Sequence, residues 1–397
     1  VAHIVYAKKK WCLYACYLPD CFLSLLSNNG NLDYNFMAAL SAQSGRIVLE
    51  KTAREFEGQA VLNPGCIEVD GTIHMFYRAV RTGNHSSVGY CQIQNGEVSF
   101  RAEVPVLEPE FEWECHGIED PRISCIDGVY YLVYIAYDGL NARIAYATAD
   151  ELPHFTKRGV ISPPMPYHEV AELCKGQDHH SVFDFFNRYY KPEFAARPEL
   201  ENMLVYEKDA FLFPRKIGGR FALVHRVFPE VQVIYFERFE QLQTVEYWAE
   251  NLYDLQTHTI LRPEFWFESR HIGGGAVPLE TEAGWLFLYH AVQEDTFGQR
   301  TYHAAAALLD LDDPTVVLGR LNYPLFSPGA EFEKVGDVEN VVFPTGAVVD
   351  GDTLRVYYGA ADTVIAERTF SLSGLLAELG YQPEEECLPE GELVFSF

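Results

Sequence analysis

The chain has 397 residues, 48% hydrophobic and 14% aromatic, and no apolar run nears the roughly 18 residues that span a bilayer, so a globular protein with no membrane segment is expected. A formal net charge of −27 argues against a nucleic-acid partner, whose affinity comes from phosphates neutralised by Lys and Arg. A neutral ligand such as a sugar suits it better, and an anion would need the few cations gathered in one pocket. The nine cysteines are odd in number and form no Cys-x-x-Cys pair, which suits a reducing compartment, so a cytoplasmic location is expected.

In chain order, residues 1–36 come first and read differently from the rest. They hold Cys12, Cys16 and Cys21, with Lys8-Lys9-Lys10 ahead of a short apolar stretch. A signal peptide is one reading. Pro19 and Asp20 interrupt the stretch, however, and Met37 opens an ordinary-looking segment. The preferred division is an N-terminal extension over 1–36 and one catalytic domain over 37–397.

From residue 60 one pattern recurs five times: a proline, then a turn glycine some residues on, then alternating apolar and aromatic residues. The copies run from Asn63-Pro64 to Gly71, Asp120-Pro121 to Gly128, Phe213-Pro214 to Gly219, Val277-Pro278 to Gly284, and Phe343-Pro344 to Gly351. Such glycines supply the positive φ that tight hairpins require. Six residues after each stands Tyr77, Tyr134, His225, His290 or Tyr357. The glycines are spaced by 57, 91, 65 and 67 residues, each enough for a four-stranded sheet, and repeated sheets of this size predict an all-β, five-bladed β-propeller. The long interval places an insertion near 165–206, expected as a loop or short helices over one face.

Comparing the copies singles out positions that break the packing rule. Before the repeat proline, three copies carry Phe213, Val277 and Phe343, whereas two carry Asn63 and Asp120. A desolvated carboxyl has a raised pKa, which suits a general acid near neutral pH, so Asp120 is the catalytic candidate; a turn cap or a pair with Arg122 is the plainer alternative. Seven residues past the glycines stand Arg78, Ile135, Arg226, Ala291 and Tyr358. With His225, His290, Lys208 and His271, the two arginines are expected to converge on one end of the axis, unless they form separate salt bridges. No metal-ligand spacing occurs; His179-His180 reads as a solvated pair, and Gly273-Gly274-Gly275 as a close backbone approach.

These segments resemble glycoside hydrolase family 130, the mannoside phosphorylases and related β-mannosidases. The resemblance rests on Asn63-Pro64-Gly65, Phe76-Tyr77-Arg78, Gly117-Ile118-Glu119-Asp120-Pro121-Arg122, Lys208-Asp209-Ala210-Phe211-Leu212-Phe213-Pro214, His225-Arg226, Gly273-Gly274-Gly275-Ala276, Tyr289-His290 and Phe343-Pro344-Thr345-Gly346. It implies a five-bladed propeller with Asp120 as general acid, acting through the sugar's own 3-hydroxyl. It implies that Asn63, Arg78 and Asp362 hold the mannosyl unit and that Lys208, Arg226, His271 and His290 hold phosphate. His271 stands where many members have lysine, Lys208 where some have arginine, and the 165–206 segment is longer than usual.

Inverting hydrolysis needs an acid and a base, whereas phosphorolysis needs only the acid, because phosphate is already an anionic nucleophile that cations can orient. One outstanding carboxylate and a cationic cluster therefore favour an inverting phosphorylase that yields α-mannose 1-phosphate from a β-mannoside or manno-oligosaccharide. Inorganic phosphate is the co-substrate, no cofactor is expected, and the resemblance is compatible with a homo-oligomer. The rivals are a β-mannosidase with Glu119 or Glu268 as base, and a non-catalytic carbohydrate-binding propeller.

Overall fold

The computed structural model describes residues 45–175 and 181–382; residues 1–36 and His179-His180 lie outside them. The described chain enters with β1 (Arg46–Leu49) and then builds successive antiparallel groups. The first is β2 (Ala60–Val69), β3 (Thr72–Arg81), β4 (His85–Gln94) and β5 (Glu97–Arg101). The second is β6 (Gly117–Ile126), β7 (Val129–Tyr137), β8 (Ala142–Ala149) and β9 (Thr156–Val160). A lone parallel pairing, Ser86 with Gly117, joins these two groups into one sheet.

The third group is β10 (Phe211–Leu212), β11 (Phe221–His225), β12 (Val231–Phe236) and β13 (Thr259–Leu261). In the fourth, β14 (His271–Gly274) and β15 (Leu279–Thr281) share one edge of β16 (Gly284–Glu294), followed by β17 (Arg300–Leu309) and β18 (Val317–Arg320). In the last, β19 (Val342–Asp350), β20 (Thr353–Ala360) and β21 (Val364–Ser371) take β1 as their outer strand, so the start of the described chain completes its final sheet. Among the described residues no sheet closes on itself. Helices cluster between β9 and β10: α1 (Tyr167–Cys174), α2 (Ser181–Phe185) and α3 (Lys191–Ala196). No helix among the described residues is long and apolar enough to cross a membrane.

Each group is pinned by a buried glutamate. Tyr77 donates to Glu57 at 2.7 Å, Tyr134 to Glu114 at 2.8 Å, Tyr289 to Glu268 at 2.8 Å and Tyr358 to Glu333 at 2.6 Å. In the third group His225 Nδ1 lies 3.3 Å from Glu207. All five glutamates have no exposed surface. Four also pair with a cation: Arg101, Lys157, Arg320 and Arg368, at 2.6–2.8 Å. An unpaired buried carboxylate is costly, so these partners are obligatory.

This contact corrects the repeat register. The hairpin loops are Asp70-Gly71, Asp127-Gly128, Gly218-Gly219, Glu282-Ala283 and Gly351-Asp352. The glycine is the second loop residue in three of them, follows the loop in the fourth and opens it in the fifth. Counted from the second loop residue, the sixth position is Tyr77, Tyr134, His225, Tyr289 and Tyr358. His290 and Tyr357 are therefore not equivalents of Tyr77. Because successive strand residues face opposite sides, the seventh set becomes Arg78, Ile135, Arg226, His290 and Gly359 in place of Ala291 and Tyr358.

The proline register changes too. Asn63-Pro64 and Asp120-Pro121 are bulges opposite Tyr77 and Tyr134, both opening with a residue at φ 49°. In the third sheet the matching residue is not Phe213 but Asp209, two before Phe211, at φ 60°. In the last two sheets the same place falls on Gly273 and Pro344 rather than on Val277 and Phe343.

Glu268→Ala strips both Tyr289 and Arg320 of their acceptor and is expected to destabilise by about 3–5 kcal/mol, whereas Tyr289→Phe costs about 1 kcal/mol. Denaturant unfolding of both variants checks this; equal, small losses would mean that the glutamate is not what pins the sheet.

Candidate active site

Strand starts and bulges from several sheets, together with helix α2 and the segment that follows it, surround a cavity of about 300 Å3. Asn63, Arg78, Asp120, Lys208, Arg226, His271, His290 and Asp362 all line it, so these residues expected for the site are brought together there. His225 does not: it has no exposed surface and packs between Glu207 and Trp248. Glu268 belongs to the core contact with Tyr289 and Arg320 and is not a lining residue.

One side of the cavity carries the carboxylates. Asp120 is 6% exposed and its Oδ1 accepts from Asn63 Nδ2 at 2.8 Å, with Arg78 Nη1 at 3.9 Å. Arg122 does not pair with this carboxylate. Its Nη1 donates to the Asp120 backbone carbonyl at 2.9 Å and its Nε to the Gly275 carbonyl at 2.7 Å, which fixes the strained bulge rather than occupying the acid.

Glu119 bridges Arg78 Nη2 at 2.7 Å and Lys208 Nζ at 2.8 Å. Burial would raise its pKa, but the two cations hold it down at about 2. Lys208 is correspondingly lifted above the ordinary lysine range, Glu119 outweighing burial. Asp362, also at positive φ, moves the other way: burial pushes it up to about 6, Arg78 opposing and the charge of Asp120 adding.

The other side gathers cations. Arg226 pairs with Asp209, lies 3.3 Å from His290 Nε2 through Nη1 and stacks 4.0 Å over the Phe228 ring. Arg270 and Arg300 add two further guanidiniums to the lining, both paired with Glu294. His290 is lowered to about 4, chiefly by burial, and His271 falls well below the usual histidine range through burial and then Arg226. Both imidazoles are thus neutral at pH 7, and the arginines carry the charge. Four buried nitrogens here have no protein partner: Arg226 Nε, Arg270 Nε, His271 Nδ1 and His290 Nδ1. The residues that carry them all line the cavity with Arg300, and three guanidiniums with two imidazoles suit a ligand with several acceptor oxygens. No group of residues suited to a metal ion occurs among the described residues.

The glycine run serves this side. A Cβ at Gly273 would collide with the His290 ring and the Asp209 carboxylate, and one at Gly275 with the Pro344 carbonyl, so the close backbone approach read from the sequence is what the structure has. Asp209 was not among the expected site residues, because the proline count pointed to Phe213; a count of seven back from the hairpin loop, which gives Asn63 and Asp120, gives Phe211 instead, because the pairing shifts by two residues between Phe213 and Ile217. Arg270 and Arg300 left no repeat signal.

The family profile of glycoside hydrolase family 130, described as beta-1,4-mannooligosaccharide phosphorylase, matches residues 40–377, and the chain belongs to this family. It is 32% identical over 329 residues to a 1,2-beta-oligomannan phosphorylase of Thermoanaerobacter sp. (strain X514), covering 80% of this chain and 92% of that one. It is also 32% identical over 327 residues to a beta-1,2-mannobiose phosphorylase of the same organism, covering 78% and 90%. In fold it is similar to the beta-1,2-mannobiose phosphorylase of Listeria innocua solved with beta-1,2-mannobiose, at a TM-score of 0.58 and 24% identity over 82% of this chain and 93% of that one.

The raised Asp362 has a consequence for stability. Its folded-state pKa lies above the unfolded one, so its contribution is fully present below about pH 4 and is lost as the pH rises through about 6. Asp362→Asn should therefore gain melting temperature relative to the parent between pH 4 and pH 7. A difference that does not change with pH would show that Asp362 titrates as an ordinary carboxyl.

Proposed function

We propose that the chain is an inverting phosphorylase that cleaves a β-mannosidic bond with inorganic phosphate and releases α-mannose 1-phosphate. The observation that carries this reading is the convergence of three arginines, Arg226, Arg270 and Arg300, with His271 and His290 on the cavity that Asp120 also lines. We also infer that the five strand groups are the blades of a five-bladed β-propeller around the cavity. The support is that the hairpin and its buried carboxylate contact recur in all five and that β1 completes the last group.

In this reading Asn63, Arg78 and Asp362 hold the mannosyl unit against Asp120. Asp120 gives its proton, relayed by the sugar's 3-hydroxyl, to the glycosidic oxygen as the bond to the anomeric carbon breaks. A phosphate oxygen, oriented by Arg226, Arg270, His271 and His290, attacks that carbon from the opposite face, so the configuration inverts. Lys208, already tied to Glu119, stands between the two sides and adds positive charge. The neutral imidazoles donate without attracting a counter-ion of their own.

Hydrolysis would require a carboxylate free to take a proton from water. Glu119, held at about 2 between Arg78 and Lys208, is a poor base, and Asp209 is committed to Arg226. Both features favour phosphate over water as nucleophile.

Incubation with β-linked manno-oligosaccharides should release mannose 1-phosphate only when phosphate is supplied; free mannose at an unchanged rate without it would mean a hydrolase. Asp120→Asn should lower kcat by about 10²–10⁴ with the fold retained. Asp209→Asn removes the buried acceptor that aims Arg226 and is expected to raise KM for phosphate about tenfold while KM for the mannoside changes little. Equal changes in both constants would make Asp209 a structural residue only.

A further inference from the structure

The helical insertion packs on the cation side of the cavity through a row of rings. Residues 181–196 form one helical run, in which a π-helical turn over Phe186–Tyr190 joins α2 to α3. Such a turn bonds residues five apart and widens the helix, so Phe185 has both Tyr189 and Tyr190 beside it, with ring centroids at 4.6 and 6.2 Å. Val182 and Phe186 of the same run enter the core beneath. Phe185 and Tyr189 pack toward the arginines instead.

Five side chains stand in line there. Arg226 lies 4.0 Å over the Phe228 ring, which stacks on Phe185 at 5.0 Å with 8° between the planes. Phe185 meets Tyr189, and Arg270 lies 4.0 Å over the Tyr189 ring. The row therefore has a guanidinium at each end and three rings between them, two of which come from the insertion.

A ring face attracts a cation but takes none of the N–H groups in the guanidinium plane. Arg226 and Arg270 each have one carboxylate partner, Asp209 and Glu294, which leaves in-plane donors over. A further carboxylate in place of a ring would cancel the charge that an anion seeks, whereas a ring fixes the plane and leaves the charge intact. Tyr189 is not a lining residue, so it acts through Arg270. Its hydroxyl donates to Glu294 at 3.4 Å, so one side chain touches both Arg270 and the carboxylate that pairs with it.

We propose that Tyr189 is a positioning residue for phosphate, holding Arg270 by the face of its ring, and that the insertion is thereby part of the phosphate side of the site. The proposal rests on the phosphorylase reading above. The test is initial-rate kinetics with a β-linked mannobiose and inorganic phosphate varied in turn, for wild type, Tyr189→Leu and Tyr189→Phe, with melting curves as the check on folding.

Tyr189→Leu should raise KM for phosphate about fivefold, the contribution of one cation–ring contact, while KM for the mannobiose stays within about twofold. Tyr189→Phe keeps the ring and drops the hydroxyl, so both constants should stay within about twofold of wild type. Tyr189→Met, which fills the same space without a ring, carries the same expectation as Tyr189→Leu and replaces it if that variant melts below the assay temperature. Equal increases for both substrates, or none, would overturn the proposal and leave the phosphorylase reading standing. So would a Tyr189→Phe that matches Tyr189→Leu, because the hydroxyl and not the ring would then hold the arginine. A wild type that releases free mannose at the same rate without phosphate would overturn both.

Discussion

The buried glutamate in each strand group is the contact on which the rest depends. Glu57, Glu114, Glu207, Glu268 and Glu333 have lost all contact with solvent, so the tyrosine or histidine from the second strand must meet them. Side chains alternate along a strand, and a slip of one residue would replace that partner with its neighbour and leave the carboxylate unpaired. The same register turns the next residue to the opposite side. Arg78, Arg226 and His290 reach the cavity because Tyr77, His225 and Tyr289 are held in the core.

The cavity separates charge that the chain has in short supply. Against a net charge of −27, the cations on one side are not diluted by the acidic surface, because Glu119, Asp209 and Glu294 nearby have defined partners. Glu119 satisfies Arg78 and Lys208, Asp209 satisfies Arg226, and Glu294 takes Arg270 and Arg300. The arginines keep further donors after these pairings, and burial keeps His271 and His290 neutral beside them. Three bulges at positive φ perform the complementary task, tipping Asn63, Asp120 and Asp209 out of the strand line and toward the cavity. Arg122 secures one of them through the backbone, which leaves the Asp120 carboxylate bonded to Asn63 and clear of Arg122.

The helices and loop between β9 and β10 interrupt the strand pattern and contribute part of the cavity wall. Phe185, Tyr190 and Tyr206 come from this stretch and wall the cavity, while Val170, Val182 and Phe186 anchor it to the core shared with the second and third groups.

Much of this was legible in the residues. Five hairpins announce themselves by Gly71, Gly128, Gly219, Gly284 and Gly351, and an aromatic residue stands before every buried glutamate: Phe56, Trp113, Tyr206, Phe267 and Phe332. The polar departures at Asn63, Asp120, Arg78 and Arg226 stood out against Phe213, Val277, Phe343, Ile135, Ala291 and Tyr358, of which strand pairing keeps only Ile135 in register, yet all four line the cavity. What sequence alone could not decide is where in each turn the glycine sits, since several two-residue loops accept it at different places; only strand pairing separates His290, at the cavity, from His225, in the core, and reveals Asp209 as the counterpart of Asp120. Nor could it anticipate Arg270 and Arg300, or that Glu119 is tied up while Asp362 is pushed toward neutrality. Repeats and turns are local and leave a mark along the chain, whereas the strength of an acid or the company of a cation depends on groups that folding brings together from distant strands.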